Sequence, residues 1–281
     1  MRNIIFFALI SSLIFACTSS DNKIDVKESE SHYQLGLEFA QLNLFKNALE
    51  ELDLAIKFNP KNSKIYRKKG LLLFAINRHD DAKTNFEKAI SLNPQDAQAH
   101  INLGMVHYTS GNKKGALKDW QNAIALKNDD NDGKALNNIG NIYKEEKNFN
   151  KAIEHYKKAI TFEPGSTTFL NNLGDSYRLA GDFKQAESIL LKSLKMDSNG
   201  MLTHFNLGVL YKTISEIPKA IQSFQSSLEV NPHYVEAYYQ LATIYLKSKN
   251  KQSAKLSLEK ALQADPANEK FKTLYDQVIA S

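Results

Sequence analysis

Glycine recurs at positions 36, 70, 104, 140, 174 and 208, thirty-four residues apart except for one interval of thirty-six. A fixed period of that length means that one supersecondary unit is built repeatedly, each copy burying its apolar face on the next. Twelve residues after each glycine stands an alanine: Ala48, Ala82, Ala116, Ala152, Ala186 and Ala220. Ala242 and Ala254 continue the series once more, with alanine in the glycine's place. Four residues further on comes a large side chain: Leu52, Phe86, Trp120, Tyr156, Leu190, Phe224 and Leu258. Five copies close on proline, at Pro60, Pro94, Pro164, Pro232 and Pro266. Each element has a steric reason. Helices that cross closely need residues without bulk at the crossing, and the large residue one turn later fills the groove toward the next copy. Proline cannot continue a helix and turns the chain into the following unit.

On these residues the chain resembles the tetratricopeptide repeat family over about residues 29–268. The resemblance implies an all-α fold, a right-handed α-solenoid of seven helix–turn–helix repeats. Register places them at 29–62, 63–96, 97–132, 133–166, 167–200, 201–234 and 235–268. Residues 269–281 carry Phe271, Leu274, Tyr275, Val278 and Ile279 at helical spacing. They are expected to form a capping helix over the apolar face of the seventh repeat.

The front of the chain reads differently. Arg2 precedes a nearly unbroken apolar run from Ile4 to Phe15. Twelve helical residues span about 18 Å, short of a hydrocarbon core of about 30 Å, so residues 1–16 read as a signal peptide. Ile14, Phe15, Ala16 and Cys17 resemble a bacterial lipobox, with Phe15 departing from the small residue usual there. That resemblance implies cleavage before Cys17, lipidation of its thiol, and anchoring to a membrane. Two or more acyl chains make such an anchor stable. Thr18, where aspartate often holds such proteins at the inner membrane, favours the outer membrane. Cys17 is the one cysteine in the chain, so no intramolecular disulfide forms. Residues 17–28 are polar and aperiodic, a flexible tether reaching at most about 35 Å.

In this family the first helix of each repeat lines the concave surface, and its positions 2, 5, 6, 9 and 12 face ligand. Position 6 here reads Gln34, Lys68, Asn102, Asn138, Asn172, Asn206 and Gln240. An asparagine amide donates and accepts together, so four in succession form a ladder able to pair with a peptide backbone. Asn137, Asn141, Asn171 and Asp175 thicken this strip in repeats four and five. Lys64, Arg67, Lys134, Lys144, Arg178 and Lys212 outnumber Glu30, Asp175 and Glu236 on the same positions. The expected ligand is therefore an extended, neutral-to-acidic protein or peptide segment. The lysine–asparagine clamp by which some members hold a chaperone's C-terminal carboxylates lacks its cations here, because repeat six has Leu202 and Asn206.

Other readings are weaker. Net charge is +5 and dispersed, and the triplet Arg67, Lys68, Lys69 reads as a solvated face, so nucleic acid is not an expected partner. The insertion NDDNDG at 128–133 places Asn128, Asp130, Asp132 and Gly133 at calcium-loop spacing, yet Ile139 stands where a bidentate glutamate is needed. It reads as an acidic turn between repeats. His32, His100 and His204 at position 4, and His107 at position 11, read as packing residues. No catalytic grouping or phosphate-cradling loop stands out, so no enzyme activity, metal or cofactor is expected. The resulting expectation is a lipid-anchored adaptor of the bacterial cell envelope. The alternative is a surface-exposed lipoprotein that binds host or environmental macromolecules.

Overall fold

The computed structural model describes residues 26–127 and 129–280. The signal segment, Cys17 and most of the tether lie outside these residues. Among the described residues all regular structure is helical. Helix α1 covers 26–41, followed by α2 (Phe45–Phe58), α3 (Ser63–Ala75), α4 (His79–Leu92), α5 (Ala97–Thr109) and α6 (Lys113–Ala125). Then come α7 (Asp129–Glu145), α8 (Phe149–Phe162), α9 (Thr167–Leu179), α10 (Phe183–Met196), α11 (Met201–Thr213), α12 (Ile217–Val230), α13 (Val235–Lys247), α14 (Lys251–Ala264) and α15 (Glu269–Ala280). The chain forms two compact units, one ending at Asn131 and one beginning at Asp132. Within each, a first helix packs on the second helix of its own repeat, and that second helix packs on the first helix of the next.

The periodic glycines are explained by what they touch. A Cβ built on Gly70 would stand 2.7 Å from Phe86, on Gly140 2.6 Å from Tyr156, and on Gly208 2.6 Å from Phe224. No real Cβ tolerates such distances, so the large side chain is seated where the glycine's own would be. The periodic alanines, from Ala48 to Ala254, are fully buried at the same crossings. Trp120, 1% exposed, also satisfies its indole N–H by donating to the Ile101 carbonyl at 3.1 Å. The first repeat is looser, since a Cβ on Gly36 would stand 3.1 Å from Leu52.

The turn joining the two helices of each repeat contains one residue in the left-handed region: Asn43, Asn77, Gly111, Lys147, Gly181, Ser215 and Lys249. That geometry lets the next N–H close back on the first helix, as when Asn148 N donates to Tyr143 O at 2.8 Å. Gly111 and Gly181 adopt it without strain, whereas Lys147, Ser215 and Lys249 do so at a cost of about 1 kcal/mol each. Four of the second helices, α6, α8, α10 and α14, then start on side-chain caps. Asn112, Asn148, Asp182 and Asn250 each accept from a backbone N–H three residues on.

One expectation is corrected. The insertion is not a turn between repeats from Asp129 onward, because α7 is a 17-residue helix that begins there and absorbs it. An acidic sequence suits a helix N-terminus, where the dipole is positive. A helical backbone from Asp129 also cannot wrap a cation as a calcium loop does. Asn128 lies outside the described residues. At the other end, α15 buries Phe271 and Val278 against Ala254, Leu258 and Ala261. Among the described residues no helix is long and apolar enough to cross a membrane.

Candidate peptide-binding face

The first helices α9 and α11 lie side by side in the second unit. Between them is a cavity of about 410 Å³, lined among others by Lys144, Thr168, Asn171, Asn172, Asp175, Asp197, Leu202 and Asn206. It combines amide and hydroxyl groups with one outward apolar side chain, Leu202, which is 51% exposed. Asn206 is half-buried and makes no side-chain hydrogen bond among the described residues. Asn172 donates its amide to Asn137 Oδ1 at 2.9 Å and keeps its own carbonyl oxygen available. Asn171 is buried, and its Oδ1 has no partner among the described residues. The terminal torsion of an amide is broad, so a modest rotation turns that oxygen toward the cavity.

The rest of the asparagine strip is placed differently. Asn137 is buried, with its oxygen occupied by Asn172. The rung between repeats four and five thus joins positions 5 and 6, not two position-6 residues. Asn138 is half-buried beside it. Asn141 accepts the Tyr156 hydroxyl at 2.6 Å and so serves the packing of α7 on α8. In the first unit Asn102 is buried, accepting from Gln98 Nε2 at 3.0 Å. These three arrangements direct Asn102, Asn137 and Asn141 into the stack.

The cations also differ from a free basic groove. Arg67 donates from Nε to Asp96 Oδ2 at 2.8 Å, while Asp96 Oδ1 caps α5 by accepting from Ala99 N at 3.1 Å. Arg178 donates from Nη2 to Asp175 Oδ1 at 2.7 Å, and Lys144 Nζ reaches Asp175 Oδ2 at 3.4 Å. Lys212 donates to Gln240 Oε1 at 2.7 Å and to Thr243 Oγ1 at 2.6 Å. Burial, then the nearby Lys247, pulls the Lys212 ammonium below the ordinary lysine range. Beside it, burial and a hydrogen bond to Glu187 push the Tyr211 phenol up to about 12. Of the cations named for the site, Lys64 and Lys134 are exposed. Arg67, Lys144 and Arg178 are therefore held by carboxylates, and around the cavity Asp175 and Asp197 stand against Lys144 and Arg178, leaving it close to neutral. Lys144, Lys212 and Arg67 find their partners 28–31 residues away or at a cap, where no local pattern shows them.

Thr168, Asp197 and Leu202 join the site without having been singled out as contacts. The signal for Leu202 was its place at position 2 of repeat six. The histidines have structural partners. His100 and His204 each donate from Nε2 to a carbonyl six residues earlier, Pro94 O at 3.2 Å and Ser198 O at 3.0 Å. His32 stacks on Phe58 and pairs with Glu51, and His107 pairs with Asp119 at 2.7 Å. Among the described residues no group of three or more His, Cys, Asp or Glu is placed to hold a metal ion.

Family models described as tetratricopeptide repeat match residues 29–62, 67–133, 133–166, 167–199 and 216–278. No curated protein matches the chain at the sequence level. Among solved structures, a tetratricopeptide repeat protein from Parabacteroides merdae is 17% identical with a TM-score of 0.71, over 90% of this chain and 99% of that one. A chain of the APC/C hetero-tetramer Cut9–Hcn1 gives 17% and 0.69, over 90% of this chain, which spans 46% of that protein. YrrB, described as a TPR protein with an unusual peptide-binding site, gives 19% and 0.51, over 67% and 96%. At these identities the likeness is one of fold.

Proposed function

The chain belongs to the tetratricopeptide repeat family, and from that premise we propose that it is a non-catalytic scaffold that binds extended segments of partner proteins. The observation that carries this reading is the cavity between α9 and α11, where the Asn206 amide and the Asn172 carbonyl oxygen stand unspent beside the exposed Leu202. Amides read a peptide backbone whatever its side chains, and Leu202 supplies apolar contact for one of them. With Lys144 and Arg178 held by Asp175, the preferred segment is neutral and partly apolar. The peptide-binding site of YrrB is in keeping with this use of the fold. The scaffold is further proposed to be tethered through a lipid on Cys17 in the bacterial envelope, a reading that rests on the sequence Ile14–Cys17.

A photo-crosslinking residue at position 202 tests the binding reading in intact cells. One specific protein adduct is expected there, lost when Asn172 and Asn206 are both changed to alanine. An adduct that survives the double change, or none at all, removes the reading. For the tether, Cys17→Ser should move the protein from membrane pellet to supernatant, and retention in the pellet would sink it.

A further inference from the structure

Lys212 is unusual among the described cations. Its ammonium is half-buried, yet its two partners, Gln240 and Thr243, are neutral. An ammonium has three donors, so one N–H remains. It lines a second pocket of about 310 Å³ together with Ser215, Ile217, Ile244, Lys247 and Ser248. Lys247 is exposed and close enough to perturb Lys212 electrostatically. Two like charges therefore share one small pocket.

The neighbouring carboxylates do not relieve them. Glu216 takes Lys219 at 3.7 Å, and Glu187 accepts the Tyr211 hydroxyl at 2.8 Å. Among the described residues neither Lys212 nor Lys247 has an ion-pair partner, nor do Lys249 and Lys251 that follow in sequence. Backbone carbonyls at the ends of α11 and α13 are also engaged. Ser215 N donates to Lys212 O, Glu216 N to Tyr211 O, and Asn250 N to Tyr245 O. The Ser248 hydroxyl donates to the carbonyls of Ile244 and Tyr245. The missing component is an anion.

We propose that this pocket accepts a carboxylate side chain, aspartate or glutamate, from a partner protein. One half-buried N–H and one rim ammonium suit the two oxygens of a monoanion, and Ile217 and Ile244 offer an apolar wall to its methylene groups. A phosphate is disfavoured. The pocket lies at the C-terminal ends of α11 and α13, whose dipoles oppose a doubly charged group. It also presents no arginine fork among its lining residues. The site is separate from the cavity between α9 and α11 and does not depend on it.

The test uses the full chain labelled at lysine side chains, observed by NMR. The probes are the blocked peptides acetyl-Gly-Glu-Gly-amide and acetyl-Gly-Gln-Gly-amide, and inorganic phosphate. The glutamate peptide should shift the Lys212 and Lys247 signals saturably and the glutamine peptide should not. Lys247→Gln should weaken the response roughly fivefold, the worth of one exposed ion pair. Lys212→Met should abolish it with the thermal melt retained, and if that variant fails to fold, Lys247→Gln decides alone. Equal response to both peptides, no response, tighter binding of phosphate, or an unchanged Lys247→Gln variant overturns the proposal. Because these probes are too short to read a groove, their failure leaves the reading of the Asn172–Asn206 cavity standing.

Discussion

Asn172 donates its side-chain amide to Asn137 at 2.9 Å across 35 residues of sequence, joining the first helices of repeats four and five. The bond fixes the Asn172 carboxamide beside the cavity, so that its oxygen meets a ligand N–H without first having to be ordered. Changing Asn172 and Asn206 together to alanine should therefore lower the affinity of the crosslinked partner at least tenfold, at about 1 kcal/mol per lost hydrogen bond. Stability should fall by about 1–3 kcal/mol, because the buried Asn137 Oδ1 loses its donor, with the fold retained. Titration calorimetry with the purified partner measures the first quantity, and a melt measures the second. Unchanged affinity would remove these amides from the site.

Arg67 separates stability from binding. Its guanidinium bridges to Asp96, which at the same time caps α5. Arg67→Ala should destabilise the fold by about 1 kcal/mol while leaving partner affinity within twofold. Asp96→Ala should cost more, roughly 2–3 kcal/mol, because the cap and the counterion go together. Urea denaturation ranks the two. A large loss of affinity in Arg67→Ala, with the fold intact, would return that residue to the ligand face.

Glycine matters at two kinds of place, in opposite directions. Gly208→Ala would drive a Cβ to 2.6 Å from Phe224 and should destabilise by roughly 1–3 kcal/mol, more than Gly36→Ala, where Leu52 stands 3.1 Å away. Lys249→Gly should do the reverse. Its φ of 59° is one that glycine adopts freely, so the change should stabilise by about 0.5–1 kcal/mol. Melting temperatures of the three variants should therefore fall in the order Lys249→Gly, Gly36→Ala, Gly208→Ala, from high to low.

His155 gives the fold a pH dependence of definite sign. Burial lowers its pKa below the usual 6.5, with Glu154 acting weakly the other way, and its ring stacks on Tyr143 at 5.3 Å. Between the lowered folded value and 6.5 the unfolded chain binds more protons than the folded one, so stability rises with pH across that window. Going from pH 7.5 to 5.5 should thus lower the melting temperature of the parent more than that of His155→Gln. Parallel curves for the two proteins would show that the ring does not titrate as argued.

The fold was legible because its rule is local and steric. Gly70 and Phe86, or Gly208 and Phe224, lie sixteen residues apart, and their contact is written in residue size alone. The site was legible only in outline. Asn171, Asn172 and Asn206 do gather at one cavity, but nothing near Asn141 in sequence says that Tyr156 will claim its oxygen. The same holds for Arg67, whose counterion caps another helix. Formal charge counted along one helix overstates the field, because the neutralising carboxylate arrives from a different helix or its cap. The insertion at 129–133 misled for another reason: its polar residues fit a turn and a helix start equally well, and the apolar pattern beginning at Ala135 continues it as helix.

In repeats four and six the cation at position 12 reaches forward to the next repeat, Lys144 to Asp175 and Lys212 to Gln240 and Thr243, whereas Arg178 of repeat five pairs within its own. Repeat proteins change length by duplicating or losing whole modules, and packing alone would permit that here, since the glycine–alanine–large residue rule is shared by every copy. The polar hooks would not. Excising repeat five would bring Val209 to the place of Asp175 and leave Lys144 facing a hydrocarbon. Modules four and five, and modules six and seven, are therefore not interchangeable beads. Their order is keyed, and copy number in this stretch is constrained by who holds whose charge.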